Sequence, residues 1–246
     1  MQSIVNVSRS ARTFLLAALT LSASLTVFAA TASAAPVDNG QPCTIVGTPG
    51  DDVLIGTSKN DVICGLDGGD ILRGLGGNDL LRAGPGWDEL YGGGGRDLLS
   101  GGDGPDLLRG GTGADVFSGG EAGRDDVDRV AYWGYRVGVT VTIGDGPNDG
   151  AAGEGDDVQG DVENLSGGKG DDTLIGNDAS NDIRANGGND RLVGGLGRDW
   201  LISGDGDDSI DSVDDRDDAI HCGNGIDSLL HDSFDWLPGS RCEIFL

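Results

Sequence analysis

GTPGDDVLI (47–55), GTSKNDVIC (56–64), GLDGGDILR (65–73), GLGGNDLLR (74–82), AGPGWDELY (83–91), GGGGRDLLS (92–100), GGDGPDLLR (101–109) and GGTGADVFS (110–118) follow one another without a gap, and written in this way they align residue for residue. The sixth place is Asp in all eight: Asp52, Asp61, Asp70, Asp79, Asp88, Asp97, Asp106 and Asp115. The eighth is large and apolar in all eight: Leu54, Ile63, Leu72, Leu81, Leu90, Leu99, Leu108 and Phe117. Gly holds the first place except at Ala83 and the fourth except at Lys59. Composition bias does not produce eight unbroken repeats.

A nine-residue unit with this pattern has a physical reading. Six residues rich in Gly turn sharply, because Gly takes positive φ without steric cost. The next three, such as Asp-Leu-Leu, make a short strand whose middle side chain faces opposite to its neighbours. Turn, strand, turn, strand closes one coil in two repeats, and coils stack at the strand spacing of about 4.8 Å. The eighth-place residues then meet inside, between two facing sheets. The sixth-place aspartates fall into two columns, Asp52, Asp70, Asp88 and Asp106 on one edge and Asp61, Asp79, Asp97 and Asp115 on the other. Carboxylates about 5 Å apart repel by roughly 3 kcal/mol per pair at an effective dielectric of 20. A hard cation taking oxygen from carboxylates and turn carbonyls answers that repulsion, and calcium fits better than magnesium or zinc. Zinc would call for a Cys and His set that the chain does not offer.

A less regular block follows. GGKGDDTLI (167–175) keeps Gly170, Asp172 and Leu174 in place. Counted by aspartate, the pattern then slips, because Asp182 stands ten residues after Asp172 and Asp190 eight after that. It recovers over Asp190, Asp199 and Asp208, with Leu192, Leu201 and Ile210 two residues further on, slips again to Asp218 and reaches Asp227 with Leu229. The expectation is three sound repeats flanked by degenerate ones.

These residues match the repeat G-G-x-G-x-D-x-U-x, and here the chain resembles the RTX, or haemolysin-type, calcium-binding family. More narrowly it is similar to the small secreted calcium-binding proteins of that kind in actinobacteria. The resemblance implies an all-β parallel β-roll, a right-handed β-solenoid of nonapeptide repeats in two blocks joined by a strand-and-loop insert. It also implies several calcium ions, each shared between turns one coil apart, with about six sites in the first block. The metal candidates are the eight aspartates of the first block together with Asp172, Asp190, Asp199 and Asp208. The family's best-known members are exported by a C-terminal signal that is not cleaved, so nothing about toxins or that export route carries over.

Charge and composition exclude other classes. Among 246 residues, 42 are acidic and 16 basic, for a net charge of −26. Nucleic acid and anionic membrane, which attract Lys and Arg, would be repelled. The 47 glycines follow no third-residue period and the prolines number 7, which excludes a collagen helix. A chain so acidic and Gly-rich either stays disordered or is held by something that neutralises carboxylates. The repeats are therefore expected to be disordered without calcium and to fold on binding it.

The ends carry their own signals. Arg9 and Arg12, an apolar run over 14–30 and Ala32-Ser33-Ala34 read as a cleavable signal peptide, residues 1–34. A membrane anchor is the competing reading, but the run is short and rich in small residues. Loss of the two arginines would take the charge from −26 to −28. The expected location is extracellular. Four cysteines suit that compartment; they allow three connectivities, and position favours pairing within each end, Cys43 with Cys64 and Cys222 with Cys242. The expected division is a cap over 35–46, repeats over 47–120, an insert over 121–166, repeats over 167–230 and a cap over 231–246.

In the insert, Val137, Val139, Val141 and Ile143 alternate with small and polar residues as a strand with one buried face. Its acids (Asp145, Asp149, Glu154, Asp156 and Asp157) either hold a further ion or are simply solvated. Lys59 either weakens the site between Asp61 and Asp79 or projects into water. The apolar seventh places, Val53, Val62, Ile71, Leu80, Leu98, Leu107 and Val116, should face outward, as β-propensity on a solvated sheet or as a stripe for a partner or self-association. No HExxH, GxSxG or P-loop motif occurs. His221 and His231 lie beside the C-terminal cysteines with no nucleophile marked nearby. The chain reads as non-catalytic. The two functional readings are a free-standing extracellular calcium-binding roll with a structural or adhesive role, and an accessory module for a secreted enzyme or a surface polysaccharide.

Overall fold

The computed structural model describes residues 41–120, 127–237, 242 and 244–245. The expected signal peptide and the first half of the 35–46 cap, residues 35–40, lie outside the described residues. Among those described, every regular element is a strand, and the strands form sheets of six, nine and seven members. The architecture is a parallel β-roll.

The nine-residue pattern dictates it. Each repeat gives a strand at its seventh to ninth places, as in Val53–Ile55, Val62–Cys64 and Leu98–Ser100. Alternate repeats go to opposite walls. On one wall Leu54 pairs with Leu72, Leu72 with Leu90 and Leu90 with Leu108. On the other Ile63 pairs with Leu81, Leu81 with Leu99 and Leu99 with Phe117. One coil is thus 18 residues, and the eighth-place side chains from both walls fill a single narrow core in which all eight are buried. The walls differ in one respect that the repeat alone does not announce. On the nine-stranded wall some strands run six residues, as in Ile71–Gly76, Glu89–Gly94 and Leu107–Thr112, pairing on into the next turn.

The seventh-place residues do face outward, to differing degrees. Val53 is 53% exposed, while Ile71, Leu98, Leu107 and Val116 are half-buried by their neighbours in the stack. Leu80 is buried beside Arg82, whose Nη1 reaches the carbonyl of Gln41 at 3.5 Å.

The nine-stranded wall runs the length of the roll, and the insert continues it through Arg129–Ala131 and Asn164–Ser166. The facing wall changes there. Asp157–Val158 closes the six-stranded sheet by pairing with Val116 and Phe117. Val139–Thr142 opens the seven-stranded one, pairing in parallel with Thr173–Ile175 and antiparallel with Gly150–Ala151. Val139, Val141 and Ile143 are buried as the alternation foretold. Val137 departs from it: it precedes the strand and is 60% exposed.

A second correction concerns Asp182. The second block does not slip there. Asn181 takes the sixth place, nine residues from both Asp172 and Asp190, and Ile183 pairs inward between Leu165 and Leu201. Asp182 instead faces outward, in ion pairs with Arg129 (2.8 Å) and Arg184 (2.7 Å). The later slip is real, because Leu201 pairs with Ile220 across 19 residues rather than 18.

Disulfides join Cys43 to Cys64 and Cys222 to Cys242, with sequence separations of 21 and 20. The pairing is within each end, as position suggested, and each bridge ties an end segment back to a strand of the roll.

Candidate metal centre

Stacking at 18 residues brings the sixth-place aspartates into register, and the backbone fixes one oxygen of each. The N–H of Asp52 donates to Asp70 Oδ1 at 2.8 Å, that of Asp70 to Asp88 Oδ1 at 2.6 Å and that of Asp88 to Asp106 Oδ1 at 2.8 Å. In the other column the same bond links Asp61 to Asp79 (2.8 Å), Asp79 to Asp97 (2.8 Å) and Asp97 to Asp115 (2.9 Å). The second block repeats it from Asp172 to Asp190 (2.7 Å), Asp190 to Asp208 (2.8 Å), and Asp199 to Asp218 (2.8 Å). All twelve candidate aspartates stand on these edges.

The second oxygen is different. Oδ2 of Asp70, Asp79, Asp88, Asp97, Asp115, Asp190, Asp199 and Asp218 is buried with no hydrogen-bond partner among the described residues. Such an atom carries the full cost of desolvation unless a proton or a cation meets it. Its surroundings are oxygen-rich. A Cβ placed on Gly65 would collide with Asp70 Oδ2 and the carbonyl oxygen of Ala83, and one on Gly74 with Asp79 Oδ2 and the carbonyl oxygen of Gly92. First-place glycine therefore leaves open the point where a carboxylate and a carbonyl from the next coil converge. No three acidic, histidine or cysteine side chains gather at one point among the described residues. A bound ion would take backbone carbonyls with its carboxylates, a donor set that suits calcium.

Burial leaves its mark on acidity. Desolvation pushes Asp88, Asp190 and Asp199 up to about 7 and Asp70, Asp97, Asp115 and Asp218 up to about 6. The backbone N–H each accepts opposes that rise and offsets part of it.

Residues 46–65, 65–99, 91–127, 160–192 and 184–219 match the family model of the RTX calcium-binding nonapeptide repeat (4 copies). The chain belongs to the RTX calcium-binding repeat family. No curated protein matches it. RTX repeats bind calcium in general.

Three of the nominated aspartates sit differently in the RTX columns. Oδ2 of Asp52 accepts the Thr48 N–H (2.5 Å) and hydroxyl (2.9 Å), and Oδ2 of Asp61 accepts the same groups of Thr57 (2.7 and 2.8 Å). These are the first coils of their columns, capped by threonines at the second place. Asp172 opens the second block, and both its oxygens are held, Oδ1 by the Val139 N–H at 2.8 Å and Oδ2 by that of Gly168 at 2.7 Å. Lys59 is exposed and leaves Asp61 to Thr57.

The columns are also longer than the aspartate count suggested. Asp128 accepts the Asp106 N–H, Glu163 the Asp128 N–H and Asp156 the Asp115 N–H, each at 2.9 Å. Asp227 and Asp235 extend them toward the C-terminus, accepting from Asp208 (3.0 Å) and Asp218 (3.3 Å). Asn181 could have been found by counting back two residues from the apolar Ile183. Asp128 and Asp156 carry the same signal weakly, two residues before Val130 and Val158, but no ninefold spacing leads to them.

A second ladder runs beside the first, in the opposite sense. Asn60 Oδ1 accepts the Asn78 N–H (2.8 Å) and Asn78 Oδ1 the Arg96 N–H (2.9 Å); Asp171, Asn189 and Asp207 do the same for Asn189, Asp207 and Ile226. These fifth-place residues join coils with no ion.

Proposed function

We propose that this is an exported calcium-binding β-roll whose repeats fold as calcium fills the aspartate columns, and whose role is structural or adhesive. The row of buried, partnerless Oδ2 atoms carries this reading, because a roll so built is strained by its own carboxylates until divalent charge meets them. The ligands we assign are Asp70, Asp79, Asp88, Asp97, Asp106, Asp115, Asp190, Asp199 and Asp208 with carbonyls of the turns between them; Asp52, Asp61 and Asp172, which open the columns, are already met by protein donors. Export is supported by the leader-like 1–34 sequence and by two disulfides, which persist in oxidising compartments. Among the described residues no helix is long and apolar enough to cross a membrane. Circular dichroism in EDTA and then in millimolar calcium tests the folding step: a disordered spectrum gaining β-structure supports it, and a β-rich spectrum unchanged by calcium contradicts it.

One surface feature favours the accessory reading. On the outer face of the nine-stranded wall, Arg73 and Arg109 flank the Tyr91 ring at 5.4 and 5.5 Å, and Arg109 also lies 5.9 Å from the Trp133 ring. Neither arginine makes an ion pair among the described residues. Aromatic rings flanked by cations suit a surface polysaccharide. Retention of the calcium-loaded protein on such a glycan, lost in Arg73→Ala/Arg109→Ala, would support this reading; no retention would remove it.

A further inference from the structure

The aspartate columns do not run unbroken from one block to the other. Where they cross the insert, protein donors stand in the place that the repeats leave open. Asp156 is the fifth carboxylate of the column that begins at Asp61. Its Oδ1 accepts the Asp115 N–H like any other member, but its Oδ2 accepts the Tyr132 hydroxyl at 3.1 Å. Asn181 holds the corresponding place on the nine-stranded wall. Its Oδ1 accepts the Asn177 N–H at 2.9 Å, and its Nδ2 donates to the Glu163 carbonyl at 2.7 Å, so an amide N–H meets a carbonyl that an aspartate could reach only through a cation. Asp172, which opens the second block, is held by two backbone N–H groups.

The insert's own acids follow the same rule. Asp149 is buried, and its two oxygens accept the N–H groups of Thr142 (2.8 Å) and Val158 (2.9 Å). Glu154 accepts the Ala151 N–H (2.9 Å), and its other oxygen lies 3.2 Å from the Tyr135 hydroxyl, which also meets the Gly111 carbonyl. Asp182 is forked by Arg184 and joined by Arg129. Asp157 and Asp161 are the exceptions, each keeping one buried oxygen with no hydrogen-bond partner among the described residues on a side chain that is otherwise partly exposed. The packing changes as well. Phe117, Tyr132 and Tyr135 stack edge to face with ring centres 6.4 and 5.5 Å apart, and this is where the roll buries aromatic area.

We propose that the insert is an ion-free collar: it divides calcium binding into two separate sets, one on the coils over 65–118 and one on those over 190–227, and it stays folded and in register when calcium is removed. This rests on the calcium-binding reading above and adds to it which coil junctions take no ion. Tyr132 and Asn181 are the residues that exclude one.

Hydrogen exchange of the full chain, read by mass spectrometry in EDTA and in millimolar calcium, tests this. In EDTA, peptides covering Arg129–Ala131, Val139–Thr142 and Asn164–Ser166 should stay protected while those covering Ile71–Gly76, Glu89–Gly94 and Trp200–Asp205 exchange freely, and calcium should slow the latter by on the order of 100-fold or more. Collar peptides exchanging in EDTA as fast as the repeats would overturn the proposal. Asn181→Asp supplies an independent arm: it should bind about one more calcium than wild type by calorimetry, and an unchanged stoichiometry would also overturn it. Repeats that do not respond to calcium at all would overturn the calcium-binding reading itself, an outcome distinguished from failure of the collar alone by which peptides respond.

Discussion

At the scale of single residues, the turn chemistry decides what the repeat tolerates. From the third repeat of the first block onward, the second place lies in the left-handed region, as at Gly84 (φ 120°), Gly93 (φ 114°) and Gly102 (φ 120°). Leu66 (φ 88°) and Leu75 (φ 78°) occupy the same region without glycine's freedom. A side chain there costs about 1–2 kcal/mol, part of which glycine returns as unfolded-state entropy. Leu75 is 55% exposed, so little packing is lost with it. Leu75→Gly is therefore expected to stabilise the calcium-loaded roll by about 0.5–1 kcal/mol. Thermal unfolding in calcium checks this, and a lower midpoint than wild type would show that the leucine makes a contact worth more than its strain.

At the scale of elements, a coil is held to the next by three things: the strand ladder, the sixth-place carboxylate and, at some junctions, the fifth-place amide. Asn78 bridges two junctions, accepting from Arg96 and donating its N–H to Asn60. Trp87, Pro105 and Ala114 at the same place have no such acceptor. Asn78→Ala should cost about 1 kcal/mol in calcium, the net worth of one hydrogen bond, whereas Trp87→Ala, at the same place of a repeat on the other edge, should cost little, since that side chain is 61% exposed. Equal losses from the two would mean that the amide ladder is incidental. The walls of the roll were legible in the sequence because a strict ninefold repeat leaves no choice of register: Leu54, Leu72, Leu90 and Leu108 could fall only into one row. The insert was legible only as a strand, because the residues that join it to the columns, Asp128, Asp156 and Glu163, come together through tertiary pairing across 22 to 41 residues. Asn181 was missed for a chemical reason: a search for carboxylates passes over the amide that replaces one.

At the scale of the whole molecule, the charge that calcium neutralises also governs the response to pH. Burial raises Asp70, Asp97, Asp115 and Asp218 from 3.8 to about 6 and Asp88, Asp190 and Asp199 to about 7, so without calcium the folded roll binds more protons than the unfolded chain. Their contribution to stability is fully present below about pH 4 and is lost as the pH rises through 6 to 7. In EDTA the repeats should gain β-structure on acidification from pH 8 to 4.5, and calcium affinity should fall over the same range as protons compete for the same oxygens. A β-signal in EDTA that is independent of pH would contradict this. The central claim is most directly tested by calorimetric titration of the chain with calcium, run beside Asp88→Ala. Asp88 lies between Asp70 and Asp106 in its column, bonded to the backbone of the first and donating to the second. Several calcium equivalents for wild type, with more than one of them lost in Asp88→Ala, is the expected result; no binding heat, or a stoichiometry that Asp88→Ala leaves untouched, would contradict the account.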